Sequence, residues 1–579
     1  MAVTDEQVRQ LLARMEYGKQ HRQWWETTLW TPVIEMLFPQ MGSMLSGGTI
    51  NPAEKRGSKA YDGTPESAAD ILIAGMHNGL TPDNMKWFNW FLKPKELNDI
   101  AEVKKVREKR RDITLEYLQS SNYHEQTKQT YRQLAALGTG IKWREKDPDK
   151  MFRFEVLKLS ECILIENRYG AVDCMFRECK WTARNAFKAW GDKCSDAIKN
   201  AVRSESGNSM DQEYPFVMAV VPREDFGLAR DVTLKDNKNM KFACIWIDPN
   251  ASSGSKVMDE TGFNLFPASV PRWEKIPGDR SPYGRGPGIK ALQDMGVLNA
   301  QAKSNALAGE LMLFPSLAVP ADGFERTLKL TPRAQNKYSG AGSAQVYPLN
   351  QVGNLPYSLE MQQAMQQAIQ NRFYVKAFLM LSDYQGSSDR TQLEIMERKQ
   401  EKLQILGPML GTQKIEHLDA DLDWCYEVLE QAGEFPDWPD EVYMMADKNI
   451  TTEYESPLFT ALRLGEANAA IEVYQVAGLI SQARGGDPAV FDNLDDDFTL
   501  KLIAERKGAP MGMLRDDKAR DASRQARAEA SQQQVALQQS MAAVQAAQQL
   551  GQVSTRSGDP NLLTDLISGA TQGTQGTQQ

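Results

Sequence analysis

The spacing of hydrophobic residues divides the first half of the chain into a helical part and a strand-like part. From Thr4 to Leu137 apolar residues recur every three to four positions, which predicts amphipathic helices. Thr4 and Gln7 form a capping box at the start of the first of these helices. Between Gly138 and Pro271 short apolar runs replace this pattern, interrupted by one predicted helix from Thr182 to Trp190. We therefore predict N-terminal helices followed by a mixed α+β region built on antiparallel strand pairs.

Two long predicted helices, Gly288 to Phe314 and Ser358 to Leu381, bracket a small insert. A Pro/Gly turn from Ser281 to Gly288 precedes the first helix. At 1.5 Å per residue the two helices could span about 40 Å and about 36 Å. The insert, Ser316 to Pro356, has strand-like pieces but too few apolar residues for a core of its own. We expect it to complete its structure by pairing with neighbouring copies of the chain.

The remaining third of the chain is mostly helical in its pattern. The polar stretch from Ser382 to Arg390 is longer than a turn needs, and Thr391 with Glu394 then opens another helix with a capping box. A short strand near Thr451 to Tyr454 is expected to rejoin the mixed α+β region. Helices are predicted for Phe459 to Gln482, Leu494 to Lys507 and Arg524 to Leu550, followed by a Gly/Thr/Gln-rich tail.

Composition restricts the classes of protein to which the chain can belong. Charged residues make up 25% of it, and the net charge is -9, which argues against a protein that wraps nucleic acid tightly. The six cysteines form no CxxC pair and there are four histidines, so we predict no metal and no disulfide framework. No apolar run is long enough for a membrane span, and no signal peptide is predicted. We predict no cofactor and no association with a membrane.

Common catalytic motifs are missing from the sequence. The nearest approach to a phosphate-binding loop, Ser253 to Lys256, lacks the required glycines and the Ser/Thr after the lysine. Gly284, Gly286 and Gly288 do not have the spacing of a dinucleotide-binding loop and indicate a turn before a helix. The acidic cluster from Asp495 to Asp497 is typical of a helix start rather than of a two-metal nuclease. We therefore predict that the protein is not an enzyme.

Two groups of residues allow both a structural and a binding interpretation. Trp24, Trp25 and Trp30 could stack on bases, but their helical spacing favours core or subunit contacts. The basic run from Lys104 to Arg111 could contact phosphate, but a solvated helix face is the favoured interpretation.

Several of these features occur in an order that resembles a known family. They are the N-terminal helix with Trp24 and Trp25, the segments Tyr61-Asp-Gly-Thr64, Leu80-Thr-Pro82 and Trp87-Phe88, the turn Pro282-Tyr-Gly-Arg-Gly286, and the loop that ends at Thr391 before Glu394. This ordered set resembles the podovirus-type head-to-tail connecting proteins, which are bacteriophage portal proteins. The resemblance extends from Thr4 to about Gly433. Beyond Gly465 no residue-by-residue match can be made.

The resemblance implies a predominantly α-helical α+β subunit with wing, stem, clip and crown domains. The implied domains are the wing at 1–280 and 391–458, the stem helices at 281–314 and 357–381, the clip at 315–356, the tunnel loop at 382–390, the crown at 459–525, a barrel-like helix at 526–554 and a flexible tail at 555–579. In the tunnel loop, Tyr384, Gln385, Ser387, Ser388 and Arg390 would face DNA. In the clip, Arg326, Lys329, Arg333 and Lys337 would contact tail or adaptor proteins.

The same resemblance implies a function and a set of partners. The chain would form a dodecameric ring at one capsid vertex of the virion, assembled in the host cytoplasm, through which double-stranded DNA is packaged and ejected. Its partners would be a terminase, tail adaptor or nozzle proteins, and the major capsid and scaffolding proteins. Two alternatives are a scaffold or internal core protein of the phage, and an ATPase or nuclease of the packaging machinery.

Overall fold

A computed structural model describes most of the chain. The described residues are 3–39, 60–93, 97–98, 100–203, 209–228, 239–252, 256–279, 281–320, 331, 334–338, 347–348, 355–382, 407, 409–439, 450–485, 488–506 and 517–551. Contacts group the chain into two compact units, Met1–Ile471 and Glu472–Gln579. Among the described helices, none combines the length and the apolar character needed to cross a lipid bilayer.

Fifteen α-helices are described. In chain order they are α1 Asp5–Trp25, α2 Thr31–Leu37, α3 Thr64–Leu80, α4 Ala101–Ser120, α5 Tyr123–Leu137, α6 Ala183–Trp190, α7 Asp196–Arg203, α8 Pro287–Lys290, α9 Leu292–Leu313, α10 Leu355–Arg372, α11 Val375–Ser382, α12 Ala420–Ala432, α13 Pro457–Ala483, α14 Asp496–Arg506 and α15 Asp517–Gly551. Wider π-helical turns occur at Glu26–Trp30 and Lys414–Asp419, and 3-10 turns at Gly191–Lys193 and Pro488–Asn493.

Thirteen β-strands are described. They are β1 Phe88–Leu92, β2 Lys142–Asp147, β3 Met151–Val156, β4 Cys162–Glu166, β5 Val172–Thr182, β6 Glu213–Pro222, β7 Phe242–Ile247, β8 Val257–Phe263, β9 Ala268–Ser269, β10 Leu317–Pro320, β11 Gln335–Tyr338, β12 Tyr347–Pro348 and β13 Ile450–Tyr454. They form four sheets, with strand orders β4-β5-β6-β7-β8, β3-β2-β9, β11-β10-β12 and β1-β13. The β10–β11 pair is parallel and the other described pairs are antiparallel.

Local signals explain where the N-terminal helix and the helix after β5 begin. The Thr4 side chain accepts a hydrogen bond from the Gln7 amide, and the Gln7 side chain accepts one from the Thr4 amide, as the predicted capping box requires. Thr182 caps α6 by accepting a hydrogen bond from the Asn185 amide. The five-stranded sheet packs one face against α1, where Leu11 lies in a core cluster with Phe176. The mixed α+β region predicted from the sequence is therefore confirmed.

The basic run on α4 is the clearest correction to the sequence analysis. Arg107, Arg110 and Arg111 are buried rather than solvated. The Arg110 guanidinium carbon lies 4.4 Å from the centre of the Trp438 ring and 5.0 Å from that of Phe435. Its Nε also donates a 3.0 Å hydrogen bond to the Pro436 carbonyl. The prediction of a solvated face was wrong for these three residues, and in the case of Arg110 the reason is that aromatic rings distant in sequence cover the guanidinium.

Both long predicted helices are interrupted in the structure. The first is divided at Ala291 into α8 and α9, and the second is divided after Arg372 into α10 and α11. Tyr374, at the second break, has a φ of 56°, which lies in the left-handed region that non-glycine residues rarely adopt. The expectation of two continuous helices was wrong at these points, although the helical hairpin itself is present.

Candidate functional site

The candidate functional site is built around the described hairpin of α9 and α10. Its base rests on the C-terminal end of α5, its two helices contact each other along their length, and β10, β11 and β12 follow at its tip. The contacts at the base of the hairpin and those between its two helices can each be assigned to particular residues.

Glycines allow the base of the hairpin to approach the backbone of α5 closely. A Cβ atom on Gly286 would lie 2.5 Å from the Leu134 carbonyl oxygen, and one on Gly288 would lie 2.6 Å from that of Ala136. The Gly284 amide donates a 2.8 Å hydrogen bond to Thr139 Oγ1. Gly138, which ends α5, has a φ of 78°. The Pro/Gly turn predicted from the sequence is thus a close contact between two backbone segments, for which side chains leave no room.

Polar side chains connect the two helices of the hairpin above this base. Asn305 Nδ2 donates a 2.8 Å hydrogen bond to Gln362 Oε1, and Ser358 Oγ donates one of 2.6 Å to Asn305 Oδ1. Nearer the base, Arg372 forms an ion pair with Asp294. These directional contacts fix the register of the two helices more tightly than apolar packing alone would.

Asp62, in the loop before α3, joins the hairpin to the body of the subunit. Its Oδ2 accepts hydrogen bonds of 3.1 Å from Gln362 Nε2 and 2.8 Å from Gln366 Nε2. Its Oδ1 accepts a 2.8 Å hydrogen bond from the Thr64 amide. Burial alone would raise the pKa of Asp62, but the hydrogen bonds from Thr64, Gln366 and Gln362 together lower it. In the sequence, Tyr61-Asp-Gly-Thr64 was identified only as a segment of the family resemblance, and this role of Asp62 was not predicted.

After α10 the chain turns at Tyr374 so that α11 packs on α3. The Tyr374 ring stacks on Trp273, with ring centres 6.0 Å apart. Phe378 of α11 lies directly over Gly75 of α3, where an added Cβ would be 2.3 Å from Phe378 Cδ1.

A buried ionic cluster lies where α12 meets β2. Lys142 Nζ is 2.5 Å from Asp421 Oδ2, and His417 Nε2 is 3.5 Å from the same oxygen; all three side chains are fully buried. Arg144 NH1 is 3.7 Å from Asp421 Oδ1. Burial raises the pKa of Asp421, but the three cationic or imidazole neighbours together lower it. Burial, and then the charge of Lys142, lower the pKa of His417 to about 3, so this imidazole is neutral at neutral pH.

Arg272 connects the loop before the hairpin to two other elements. It forms ion pairs with Glu166 at the end of β4 and with Glu416 in the π-helical turn before α12. Its NH2 also donates a 2.9 Å hydrogen bond to the Gly170 carbonyl. Although burial opposes it, these partners raise the pKa of Arg272. No sequence pattern indicates this junction, because its members are scattered along the chain.

Most of the site residues predicted from the sequence fall outside the described residues. This applies to Tyr384, Gln385, Ser387, Ser388 and Arg390 of the tunnel loop, and to Arg326, Lys329 and Arg333 of the clip. Lys337 lies in β11, opposite Val319 of β10 in the parallel register. The structure therefore describes the frame around both predicted sites, and the roles of these residues stay predictions.

Comparisons with known proteins find two phage proteins whose sequences are similar to nearly the whole chain. The chain is 27% identical over 564 residues to the "Probable portal protein" of Bordetella phage BPP-1, covering 96% of this chain and 97% of that protein. It is 25% identical over 575 residues to the "Portal protein" of Salmonella phage epsilon15, covering 98% of this chain and 99% of that protein.

Among solved structures, a chain from the neck of an empty gene transfer agent particle aligns with a TM-score of 0.34 and 11% identity, over 76% of this chain and 94% of that one. The family model described as "Bacteriophage head to tail connecting protein" matches residues 8–514. The chain therefore belongs to the family of bacteriophage head to tail connecting proteins.

Proposed function

We propose that this chain is one subunit of a portal ring at a capsid vertex, through which the phage genome is packaged and ejected. The observation that carries this proposal is the family match over residues 8–514, together with two portal proteins that align with nearly the whole chain. The hairpin and the small sheet at its tip supply the structural reasons for assembly into a ring.

The hairpin exposes apolar side chains that a ring would cover. On α9, Val297 is 55% exposed and Leu313 is 77% exposed; on α10, Leu359 is 46% exposed and Met361 is 44% exposed. Exposed apolar side chains on two neighbouring helices are candidates for burial in an interface. Hairpins standing side by side around an axis would bury these residues against the next subunit. We assign α9 and α10 to the stem of the ring on this basis.

The sheet at the tip of the hairpin also supports contacts with other chains. In the described part of the tip, β10 is the central strand, and β11 and β12 lie at the two edges with four and two residues. Edge strands present unpaired backbone groups that can pair with another chain. We assign this region to the clip, where tail adaptor or nozzle proteins and neighbouring subunits would bind.

The tunnel loop is proposed to follow α11 and to contact DNA weakly. A net charge of -9 on the chain suits a channel through which DNA moves without being held, because tight binding would need many basic contacts. A terminase bound to the ring would supply the force, and the portal itself would not hydrolyse nucleotide. Scaffolding and major capsid proteins would surround the ring in the virion.

Deletion of Gln385 to Ser388 tests the tunnel loop. We expect rings to assemble normally while DNA packaging or retention is impaired, because the deletion leaves the hairpin intact. A matched control is deletion of four residues from the Gly/Thr/Gln-rich stretch at 571–574. Normal packaging in the loop deletion would refute the assignment of this loop to the channel.

The packaging ATPase is the alternative that an activity assay separates from this proposal. We expect the purified full chain to hydrolyse no ATP above background, with or without DNA. ATP hydrolysis that copurifies with the ring and is lost in a variant of the chain would favour the packaging ATPase instead.

A further inference from the structure

Three side chains from separate elements converge beside the aromatic core of the first unit. His77 lies in the last turn of α3, His124 in the first turn of α5, and Asp83 in the connection between α3 and β1. His124 Nδ1 is 2.7 Å from Asp83 Oδ1, and His77 Nε2 is 3.3 Å from the same oxygen. One atom of each residue thus lies within 4.8 Å of the other two.

Ordinary hydrogen bonding does not account for this arrangement. His77 Nε2 and His124 Nδ1 are both inaccessible to solvent, and within the described part of the chain neither has a hydrogen-bond partner of acceptable geometry. The His77 side chain is only 2% exposed. A buried polar nitrogen without a partner is unfavourable because it has lost its hydrogen bonds to water. Two such nitrogens directed at one carboxylate oxygen therefore require a further explanation.

The chemistry of the three groups fits a divalent transition-metal ion. Imidazole nitrogen and carboxylate oxygen are ligands for Zn²⁺ and the other divalent first-row transition metals, whereas Mg²⁺ and Ca²⁺ prefer oxygen ligands alone. Tetrahedral coordination with bonds of about 2.0–2.1 Å places ligand atoms about 3.3 Å apart. The His77–Asp83 separation already has this value, and the His124–Asp83 separation needs to open by roughly 0.6 Å. Asp83 is 47% exposed, so its side chain can move.

We propose that His77, Asp83 and His124 bind one Zn²⁺-class ion per subunit, with water as the fourth ligand. The ion would join the end of α3, the start of α5 and the connection to β1, and so act as a structural link in the first unit. This proposal differs from the prediction made from the sequence. There, the small number of histidines and the lack of a CxxC pair indicated that no metal is bound. Histidines 47 residues apart in sequence, with an aspartate between them, show no metal-binding spacing.

Two lysines oppose a cation at this site, namely Lys142, whose charge acts on His124, and Lys128. Lys128 lies one turn after His124 on α5, and its charge acts on both imidazoles. Asp83 offsets this positive charge, so the carboxylate is expected to be the ligand on which affinity depends most. Neutralising the lysine in a Lys128→Gln variant should strengthen metal binding rather than weaken it.

The test is metal binding by the full chain, expressed without a polyhistidine tag and freed of metal by a chelator. Zn²⁺ affinity is measured by competition with a chromogenic chelator, and Co²⁺ is added separately to read coordination from its visible absorption. We expect one ion per subunit and a tetrahedral Co²⁺ spectrum. Asp83→Asn and His77→Ala should each weaken Zn²⁺ binding by at least about 100-fold. His21→Ala, which removes an exposed histidine of α1, is the matched control and should bind like the unmodified chain.

Folding is monitored separately so that loss of binding can be interpreted. Asp83→Asn keeps the size of a partly exposed side chain, so its circular dichroism should match that of the unmodified chain. Zn²⁺ should raise the Tm of the unmodified chain and leave the Tm of Asp83→Asn unchanged. The proposal is overturned if the unmodified chain binds less than one Zn²⁺ per subunit in the chelator competition. It is also overturned if folded Asp83→Asn binds Zn²⁺ as tightly as the unmodified chain. Neither result would affect the proposed portal function, because ring formation is not assumed in this test.

Discussion

A methyl group added at Gly286 should destabilise the base of the hairpin. The new Cβ would lie 2.5 Å from the Leu134 carbonyl oxygen, 2.8 Å from the Gly138 amide nitrogen and 2.9 Å from Gly138 Cα. Carbon and oxygen ordinarily approach to about 3.3–3.6 Å, so the backbone segments must separate by roughly 1 Å. All three obstructing atoms belong to the backbone, so no side-chain rotation relieves the contact.

The expected magnitude follows from the cost of overpacking. Inserting a methyl group into a closely packed site costs about 1–3 kcal/mol, and a rigid backbone neighbour places Gly286→Ala near 3 kcal/mol. Since every 1.4 kcal/mol is a factor of ten, the local opening equilibrium should shift about 100-fold. The control is Gly411→Ala, at an exposed helical residue where an added Cβ meets no atom within 4 Å. That variant should be neutral or stabilised by up to about 1 kcal/mol.

Hydrogen exchange read by mass spectrometry is the appropriate assay, because it reports local opening in a large chain. The Gly138 amide bonds to the Leu134 carbonyl at 2.9 Å, and the Lys290 amide bonds to the Gly286 carbonyl at 3.1 Å. Peptides that contain these two amides should exchange faster in Gly286→Ala and remain unchanged in Gly411→Ala. Equal exchange in Gly286→Ala and the unmodified chain would refute the assigned role of the glycine contact.

Three further perturbations test the buried charges and the Asp62 contact. Asp421→Asn should lower the free energy of unfolding by about 3–5 kcal/mol, because Lys142 is left buried without its counter-charge; urea unfolding measures this, and a change below about 1 kcal/mol would contradict it. The folded-state pKa of His417 is about 3, against an ordinary value of 6.5. The contribution of neutral His417 to the free energy of unfolding is therefore fully present above pH 6.5 and is lost as the pH falls toward 3. His417→Gln should therefore flatten the decline of Tm over that range, and an unchanged slope would show that other groups cause it. Asp62→Ala should speed hydrogen exchange in α10 and leave exchange in α12 unchanged, because within the described residues Asp62 accepts hydrogen bonds from α10 and none from α12. Equal effects on the two helices would exclude a local role for Asp62.

Local patterns in the sequence were sufficient to predict much of the fold. The Thr4 capping box, the helix predicted from Thr182 to Trp190, the strands of the region between Gly138 and Pro271 and the return strand near Thr451 all depend on residues close in sequence. These signals act over one turn of helix or a few residues of strand, so they can be recognised without knowing the fold.

Contacts between distant segments could not be predicted in the same way. Trp87-Phe88 was noted only as a segment of the family resemblance, whereas Phe88 to Leu92 forms a strand that pairs with Ile450 to Tyr454. The run Trp87-Phe-Asn-Trp-Phe91 has no strict alternation of apolar and polar residues to indicate a strand. Arg110 is buried because Tyr426, 316 residues later, lies beside it. For the same reason Asp62 could be identified from the sequence as part of a family segment, but the hydrogen bonds that it accepts from two glutamines of α10 could not be predicted.

The assembly state tests the central claim most directly. Purified full-length chain should be observed by electron microscopy as rings with a central hole, and its mass should be a multiple of 65.0 kDa. A dodecamer would have a mass of about 780 kDa. We predict class averages in which the hairpins stand side by side around the channel. A population of monomers or rods at the concentrations found during phage assembly would contradict the account.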